Sequence, residues 1–399
     1  MRNLEALLIG QSHELMMAVP PFLNRAGFSV DVISTTRLLI KTDDIRELDY
    51  VDNVEHLLPT VLKKYSPKYN LVIAGNDDVL KLILDYSMNQ DIKLALLPIV
   101  SENNLNHLHS KTGLSQTLRD SHILTPEFKV ANSSDELLNF SEAIGYPVFI
   151  KIDASGGGAG VFECNSEKDV IQIIQQEPPF PLLIQKKISG DLLDLSGFYQ
   201  NSQLVHFSYS KMEACIRNKF GPSSLRTYTQ LAKVDKKVFD QLKSLGSALG
   251  IHGFANITAI HSNITDDLYF IEADLRPNVW VDYPKYIGDD PALAIKKYFK
   301  NNETISYPAK MNEMFPENLL IPHFRRISLL AFIFNRHDVW NFTQGYKLKQ
   351  IIYYFVLQKI TAFETLIVKS IKPHIPKNIW ITATFYNRKF KEKITQLIQ

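Results

Sequence analysis

Apolar positions in the first hundred residues fall into short compact runs separated by stretches with helical spacing. Leu4–Ile9, interrupted only by Glu5 and closed by Gly10, predicts a strand. Helical periodicity follows from Glu14 to Arg25; the pair Pro20-Pro21 is expected to bend or restart that helix, and Gly27 closes it. Phe28–Ser34 alternates apolar and polar residues, as a strand does. Asn70–Ala74 and Leu94–Val100 predict further strands, with a helix over Asp77–Tyr86 between them. Strands alternating with helices point to a small parallel sheet covered by helices. No GxGxxG follows the first strand, so dinucleotide binding is not expected.

The pattern then changes. Ser101–Ser121 reads as a polar helix carrying Lys111, ended by Leu124-Thr125-Pro126-Glu127. Ser133 and Glu136 form a capping-box signature before a helix that stops near Gly145. Tyr146–Ile152 predicts a strand with a lysine, Lys151, near its end, and it runs into a glycine cluster at 156–160. A helix over Ser166–Gln176, a Pro178–Pro181 break and a strand at Leu182–Gln185 complete the unit. Further on, Phe198–Tyr209 predicts strands, Lys211–Thr229 a basic loop, and Asp235–Leu249 a helix capped by Asp235 and ended by Gly250. Gly253–Ile260 and Leu268–Asp274 predict paired strands around a turn, and Pro291–Lys300 a last helix.

With 399 residues the chain exceeds one typical domain, and 45% hydrophobic with 22% charged residues excludes a largely disordered chain. Two cysteines, Cys164 and Cys215, cannot build a disulfide framework and point to a reducing, cytoplasmic compartment. The short first apolar run does not fit a secretory signal, and no stretch of about 20 uncharged apolar residues predicts a spanning helix. The net charge of +2 is unevenly placed: residues 310–399 hold 14 lysines and arginines against 5 acidic residues. This basic stretch is aromatic-rich and expected to be mostly helical, Ile351–Val368 being apolar nearly all round. Packing on the body or on a second copy in a homo-oligomer is one reading, and surface contact with an anionic membrane another. Nucleic acid is not expected, since no stacking module accompanies the charge.

Several residues carry candidate chemistry. Glycines at 156–160 let backbone N–H groups approach a phosphate, although no Gly-Lys-Ser/Thr of a Walker loop follows; a flexible hairpin is the plain alternative. Lys151, near the end of an apolar strand, costs free energy unless it meets a negative partner, and beside the glycines it suits a polyphosphate. Glu272 and Asp274, two apart in a strand, share one face and would repel without a cation; their hard oxygens suit Mg²⁺, or Mn²⁺. Arg276 continues that face toward a phosphoryl group, with a solvated strand face as the plain alternative. Lys211, Arg217, Lys219 and Arg226 fit either an anionic substrate or a solvated basic loop. His13 lies where the first strand ends, the place at which open α/β sheets bind ligands.

Taken in order, Lys111, Thr125-Pro126, GYPVFIK at 145–151, GGGAG at 156–160, QKKISG at 185–190, GFANI at 253–257 and YFIEADLRP at 269–277 resemble the ATP-grasp superfamily over about residues 1–305. The resemblance implies a small Rossmann-like domain at 1–100, an ATP-grasp lid at 101–187, a second subdomain with the metal site at 188–309, and an extension at 310–399. It implies that Lys111 and Lys151 reach phosphates. Ser155, Gly156, Gly157, Gly158 and Gly160 would form a mobile loop over them. Gln185, Lys186, Lys187 and Ile188 would form the adenine hinge, with Lys186 where the family commonly has Glu. Asp191, with Asp194 second, would hold the ribose; Glu272 and Asp274 the metal; and Arg276 the γ-phosphate and acyl acceptor. Thr258 stands where the family usually places another acidic or amide metal ligand, with Asn256 on the same face. The implied activity is ATP-dependent activation of a small carboxylate as an acyl phosphate, with ADP released, for attack by an amine or other nucleophile. Two alternatives remain open: an ATP-binding scaffold or sensor without turnover, and a carboxyphosphate- or carbamoyl-phosphate-forming enzyme that uses bicarbonate.

Overall fold

The computed structural model describes residues 4–36, 42–65, 69–156, 158, 160–215 and 221–323. Gly157, Arg217, Lys219 and the tail beyond His323, with its expected helices and membrane or oligomer contacts, lie outside the described residues.

The first unit is a four-stranded parallel sheet in the order Glu47–Tyr50, Phe28–Ser34, Leu4–Gly10, Leu71–Ala74. The helix His13–Arg25 packs on it and runs unbroken through Pro20 and Pro21. The prolines remove two amide donors, but Met16, Val19, Phe22 and Leu23 are fully buried, and that packing holds the helix together. Leu94–Val100 is not a strand. Asn89 accepts hydrogen bonds from the Asp91 and Ile92 amides and starts a helix at Gln90–Leu96; only Ile99 pairs, in a single bridge with Ile251. A short apolar run serves a buried helix end as well as a strand. Ser101–Ser121 is helical only in part: Glu102–Asn104 is one 3₁₀ turn and the α-helix begins at Lys111, where Ser110 Oγ accepts the Gly113 amide at 2.9 Å.

The second unit is an antiparallel sheet in the order Phe128–Ala131, Leu182–Lys186, Val148–Ile152, Val161–Cys164, with helices Ser134–Ile144 and Glu167–Ile174. Ser133 Oγ accepts the Glu136 amide as expected, while the Glu136 carboxylate accepts from the Asn132 amide one residue earlier.

An eight-stranded sheet forms the third unit. Its long strand Gly253–Ser262 pairs with Gly190–Asp194, Gly197–Gln200 and Leu268–Asp274. The expected loop at 211–229 is instead a strand pair, Tyr209–Cys215 with Ser223–Thr229. Its inward positions Ser224, Arg226 and Tyr228 are buried, so a period of two is present but carried by a hydroxyl, a cation and a phenol rather than by apolar residues. Asn318–Pro322, within the stretch read as extension, adds an edge strand to this sheet.

Two hydrophobic clusters each draw residues from the first and third units: Leu7 and Ile9 with Leu193 and Tyr199, and Ala6 and Phe22 with Phe198 and Phe254. Arg25 adds ion pairs to Asp282 at 2.7 Å and Asp290 at 2.9 Å. The second unit's core, built on Leu137, Val148, Ile150, Val170, Leu182 and Ile184, is entirely its own. No helix among the described residues is long and apolar enough to cross a membrane.

Candidate active site

A cleft of about 570 Å³ lies between the second and third units, and Ser12, Glu14, Gly75 and Asn76 of the first unit close one end. Lys151 enters it from the strand Val148–Ile152 and is 7% exposed. Burial pushes its ammonium down to about 8, helped by the Lys111 cation and opposed by Glu272. Lys111 opens the helix Lys111–Asp120, which packs against the strand Leu268–Asp274, and it lines the same cleft. Its Nζ donates to the Asp153 carbonyl at 3.1 Å, to Ser155 Oγ at 3.1 Å and to the Ser155 carbonyl. Burial lowers its pKa against the pull of Glu272, Asp274, Asp153 and Asp77.

Asp153 was not singled out by the sequence. Its carboxylate accepts from Ser110 Oγ at 2.9 Å and from the Thr112 amide at 2.7 Å, so it caps the Lys111 helix and ties it to the glycine loop. In that loop Gly158 and Gly160 adopt φ of 79° and 75°, a region that glycine enters without strain. Ser155, Gly158 and Val161 face the cleft, whereas Gly156 faces a smaller cavity shared with Asp77, His109 and Asp153.

The segment Gln185–Ile188 lines the cleft. Gln185 is 2% exposed and its Nε2 donates to Ser115 Oγ at 3.1 Å. Lys186 Nζ donates to the Gly145 carbonyl at 2.5 Å, closing the end of the preceding helix, and Lys187 pairs with Glu163 at 2.7 Å. Asp191 is not brought to the cleft. Along Gly190–Asp194 the cleft-facing residues are Gly190, Leu192 and Asp194, so the two-residue period turns Asp191 away, where it pairs with Lys211 at 2.9 Å. Asp194 is fully buried, lies 3.0 Å from Arg226 Nη1, and accepts from Ser196 Oγ at 2.6 Å. Arg226 is 4% exposed, lies 4.6 Å from the Trp280 ring centroid and donates from Nε to Ser223 Oγ. Although Nη1 is close to Asp194, it makes no aligned hydrogen bond. His13 opens the first helix beside the cleft-lining Ser12 and Glu14.

Glu272, Asp274 and Arg276 line the opposite wall, with Glu272 paired to Thr258 and Asp274 to Asn256 across the sheet. Enclosure disfavours the Asp274 charge and Glu272 adds repulsion, so its carboxyl is raised well above the usual range. Arg276 reaches Asp77 of the first unit with Nε–Oδ1 2.5 Å and Nη2–Oδ2 2.8 Å, and Asp274 Oδ2 at 3.0 Å. Burial works to raise the Asp77 carboxyl, but the Arg276 guanidinium outweighs it and holds it low. Thr258 is 6% exposed, and Asn256 donates to Asp274 at 3.4 Å while accepting from Asn278 Nδ2 at 2.9 Å. Among the described residues no group of three or more His, Cys, Asp or Glu is arranged to hold a metal. Two hard carboxyl groups on one strand face that repel one another do match the few protein ligands Mg²⁺ takes beside phosphate oxygens.

Residues 115–178 match the family described as carbamoyl-phosphate synthase L chain, ATP-binding domain. N5-carboxyaminoimidazole synthetase from Staphylococcus aureus, solved with ADP, is similar at 16% identity and a TM-score of 0.59, over 84% of this chain and 88% of that one. The chain has the ATP-grasp fold. Two further ATP-grasp likenesses show the same architecture. One is L-amino acid ligase from Bacillus licheniformis, at 15% identity, TM-score 0.56 and 75% coverage of each chain. The other is the biotin carboxylase domain of 2-oxoglutarate carboxylase from Hydrogenobacter thermophilus, in complex with MgADP and bicarbonate. It matches at 14% identity and TM-score 0.57, over 79% of this chain and 73% of that one. Within the ATP-grasp frame, the sequence reading missed Asp77, Asp153, Asn278 and Trp280. Each acts through a partner distant in the chain, 199 residues away for Asp77 and 41 for Asp153, and no local spacing announces that.

Proposed function

We propose that this chain is an ATP-dependent ligase that activates a small carboxylate as an acyl phosphate, releases ADP, and delivers the acyl group to an amine or other nucleophile. The observation that carries the reading is the convergence, in a single cleft, of the buried Lys151 and the part-buried Lys111 with the part-buried Glu272, Asp274 and Arg276. Cations withdrawn from water, facing two carboxyls that repel one another, make a site that a polyphosphate with a divalent cation would neutralise. Lys111, Lys151 and amides of the glycine loop would hold the phosphates, and the segment Gln185–Ile188 the base. Glu272 and Asp274 would hold Mg²⁺, which when bound offsets the charge of phosphate oxygens.

The chain's own residues do the rest by positioning and electrostatics. Arg276 presents N–H donors where the transferred phosphoryl develops charge. A carboxylate oxygen of the substrate forms the new P–O bond as the bond to ADP breaks. The nucleophile then forms its bond to the acyl carbon, and phosphate leaves with the C–O electron pair. The separate core of the second unit allows it to close over the cleft and exclude water from the acyl phosphate.

ADP release from MgATP, with pooled amino acids, small dicarboxylates and bicarbonate supplied in turn, tests the reading. One pool should stimulate ADP release, and Glu272→Ala or Lys151→Ala should abolish it; wild-type turnover in both variants would refute the site. Stimulation by bicarbonate alone would assign the carboxyphosphate chemistry. A second reading, nucleotide binding without turnover, is favoured by Thr258 in place of a third metal-binding oxygen of carboxylate or amide type. ATP binding with no ADP from any pool would support it.

A further inference from the structure

Arg276 is shared between two carboxylates that come from different units. Asp77, in the first turn of the helix Asp77–Asp85, takes its guanidinium edge with bonds of 2.5 and 2.8 Å across 199 residues of chain. Asp274, beside it on the cleft wall, accepts from the same Nη2 at 3.0 Å and from Asn256 at 3.4 Å. A carboxylate already bonded to a guanidinium is a poor ligand for a cation, because the two positive charges compete for the same oxygens. Were Asp274 the sole anion near Arg276, every divalent cation would have to displace the arginine. With a second, better aligned anion in place, Arg276 can keep its position and its charge balance while Asp274 turns away.

We infer that Asp77 is a positioning residue that anchors Arg276, so that Asp274 is free to serve a divalent cation. The inference rests on the nucleotide and metal reading above. It makes the first unit a functional part of the metal site, with Asp77 acting through the guanidinium rather than as a ligand of the cation.

The test uses the full chain, Mn²⁺ and adenylyl-imidodiphosphate, and reads Mn²⁺ binding by electron paramagnetic resonance, with analogue binding by calorimetry. Asp77→Ala should weaken Mn²⁺ binding in the presence of the analogue by about tenfold, a coupling typical of contacting residues. Metal-free analogue binding should change less than about twofold. Asp77→Asn, which keeps the shape but not the charge, should behave like Asp77→Ala, and Asp77→Glu should recover part of the affinity. In an Arg276→Ala background, Asp77→Ala should have no further effect. An equal loss in that background would overturn the inference, since Asp77 would then act on the cation directly. Unchanged Mn²⁺ binding with only a lower unfolding temperature would also overturn it, leaving a structural contact. If the wild-type chain binds neither analogue nor Mn²⁺, the nucleotide reading itself fails, which is a distinct result and takes this inference with it.

Discussion

Replacing Lys151 with methionine should stabilise the ligand-free protein. Its ammonium is 7% exposed and burial brings it down to about 8 from an ordinary 10.5. A difference of that size corresponds to about 3 kcal/mol against the charged form at neutral pH. The sign follows from proton counting. Below pH 8 both folded and unfolded chains hold the proton, so the folded chain bears the whole cost. Between about 8 and 10.5 the unfolded chain binds more protons, and stability rises with pH. Lys151→Met has similar length and no charge to desolvate, so it should gain up to about 3 kcal/mol at pH 7, and the gain should shrink to nearly nothing by pH 10.5. Thermal unfolding of wild type and variant across pH 7–10.5 measures this. MgATP, which should stabilise the wild type by mass action, should do little for the variant. A variant less stable than wild type at pH 7, or a difference that does not change with pH, would refute the argument that a charge is held buried there for a ligand.

Two further outcomes follow from the same physics. Burial lowers His107 and His206 to about 4 from 6.5, so the folded chain holds both neutral; stability should be complete above about pH 6.5 and fall toward pH 4 by about 3 kcal/mol for each, and unfolding scans of a His107→Gln, His206→Gln variant should lose most of that slope. Gly160 has φ 75°, and a Cβ there would stand 3.0 Å from Ile152 side-chain carbons; Gly160→Ala should cost about 1–2 kcal/mol of loop geometry and weaken analogue binding in calorimetry while leaving the unfolding of the other two units unchanged.

The strands Leu4–Gly10, Phe28–Ser34 and Leu71–Ala74 were legible because they are mostly apolar, whereas the edge strand Glu47–Tyr50 reads Glu, Leu, Asp, Tyr and no apolar pattern marks it. Glu272 and Asp274 were legible because a period of two needs no tertiary knowledge. Asp191 was preferred to Asp194 because the choice depends on the phase of a strand whose start, Gly190, no apolar pattern marks. Arg226 was hidden in an apparent loop because the buried face of its strand reads Ser, Arg, Tyr. Leu94–Val100 misled because burial, which made it apolar, is common to helix ends and strands. Asp77 and Asp153 could not be found at all: their partners lie on other elements, and only the folded chain brings them within hydrogen-bond reach.

The first and third units share two hydrophobic clusters and the Arg25 clamp, whereas the second unit keeps a core of its own. On the function proposed above, the joined first and third units would act as the fixed jaw of a vice and the second unit as its moving jaw. Lys111 stands on the fixed side and grips the glycine loop of the moving side through Ser155 and Asp153. If the second unit opens and closes as proposed above, each opening has to break these bonds together with the Gln185–Ser115 bond on the same helix, and weakening them should speed the parting of the two sides.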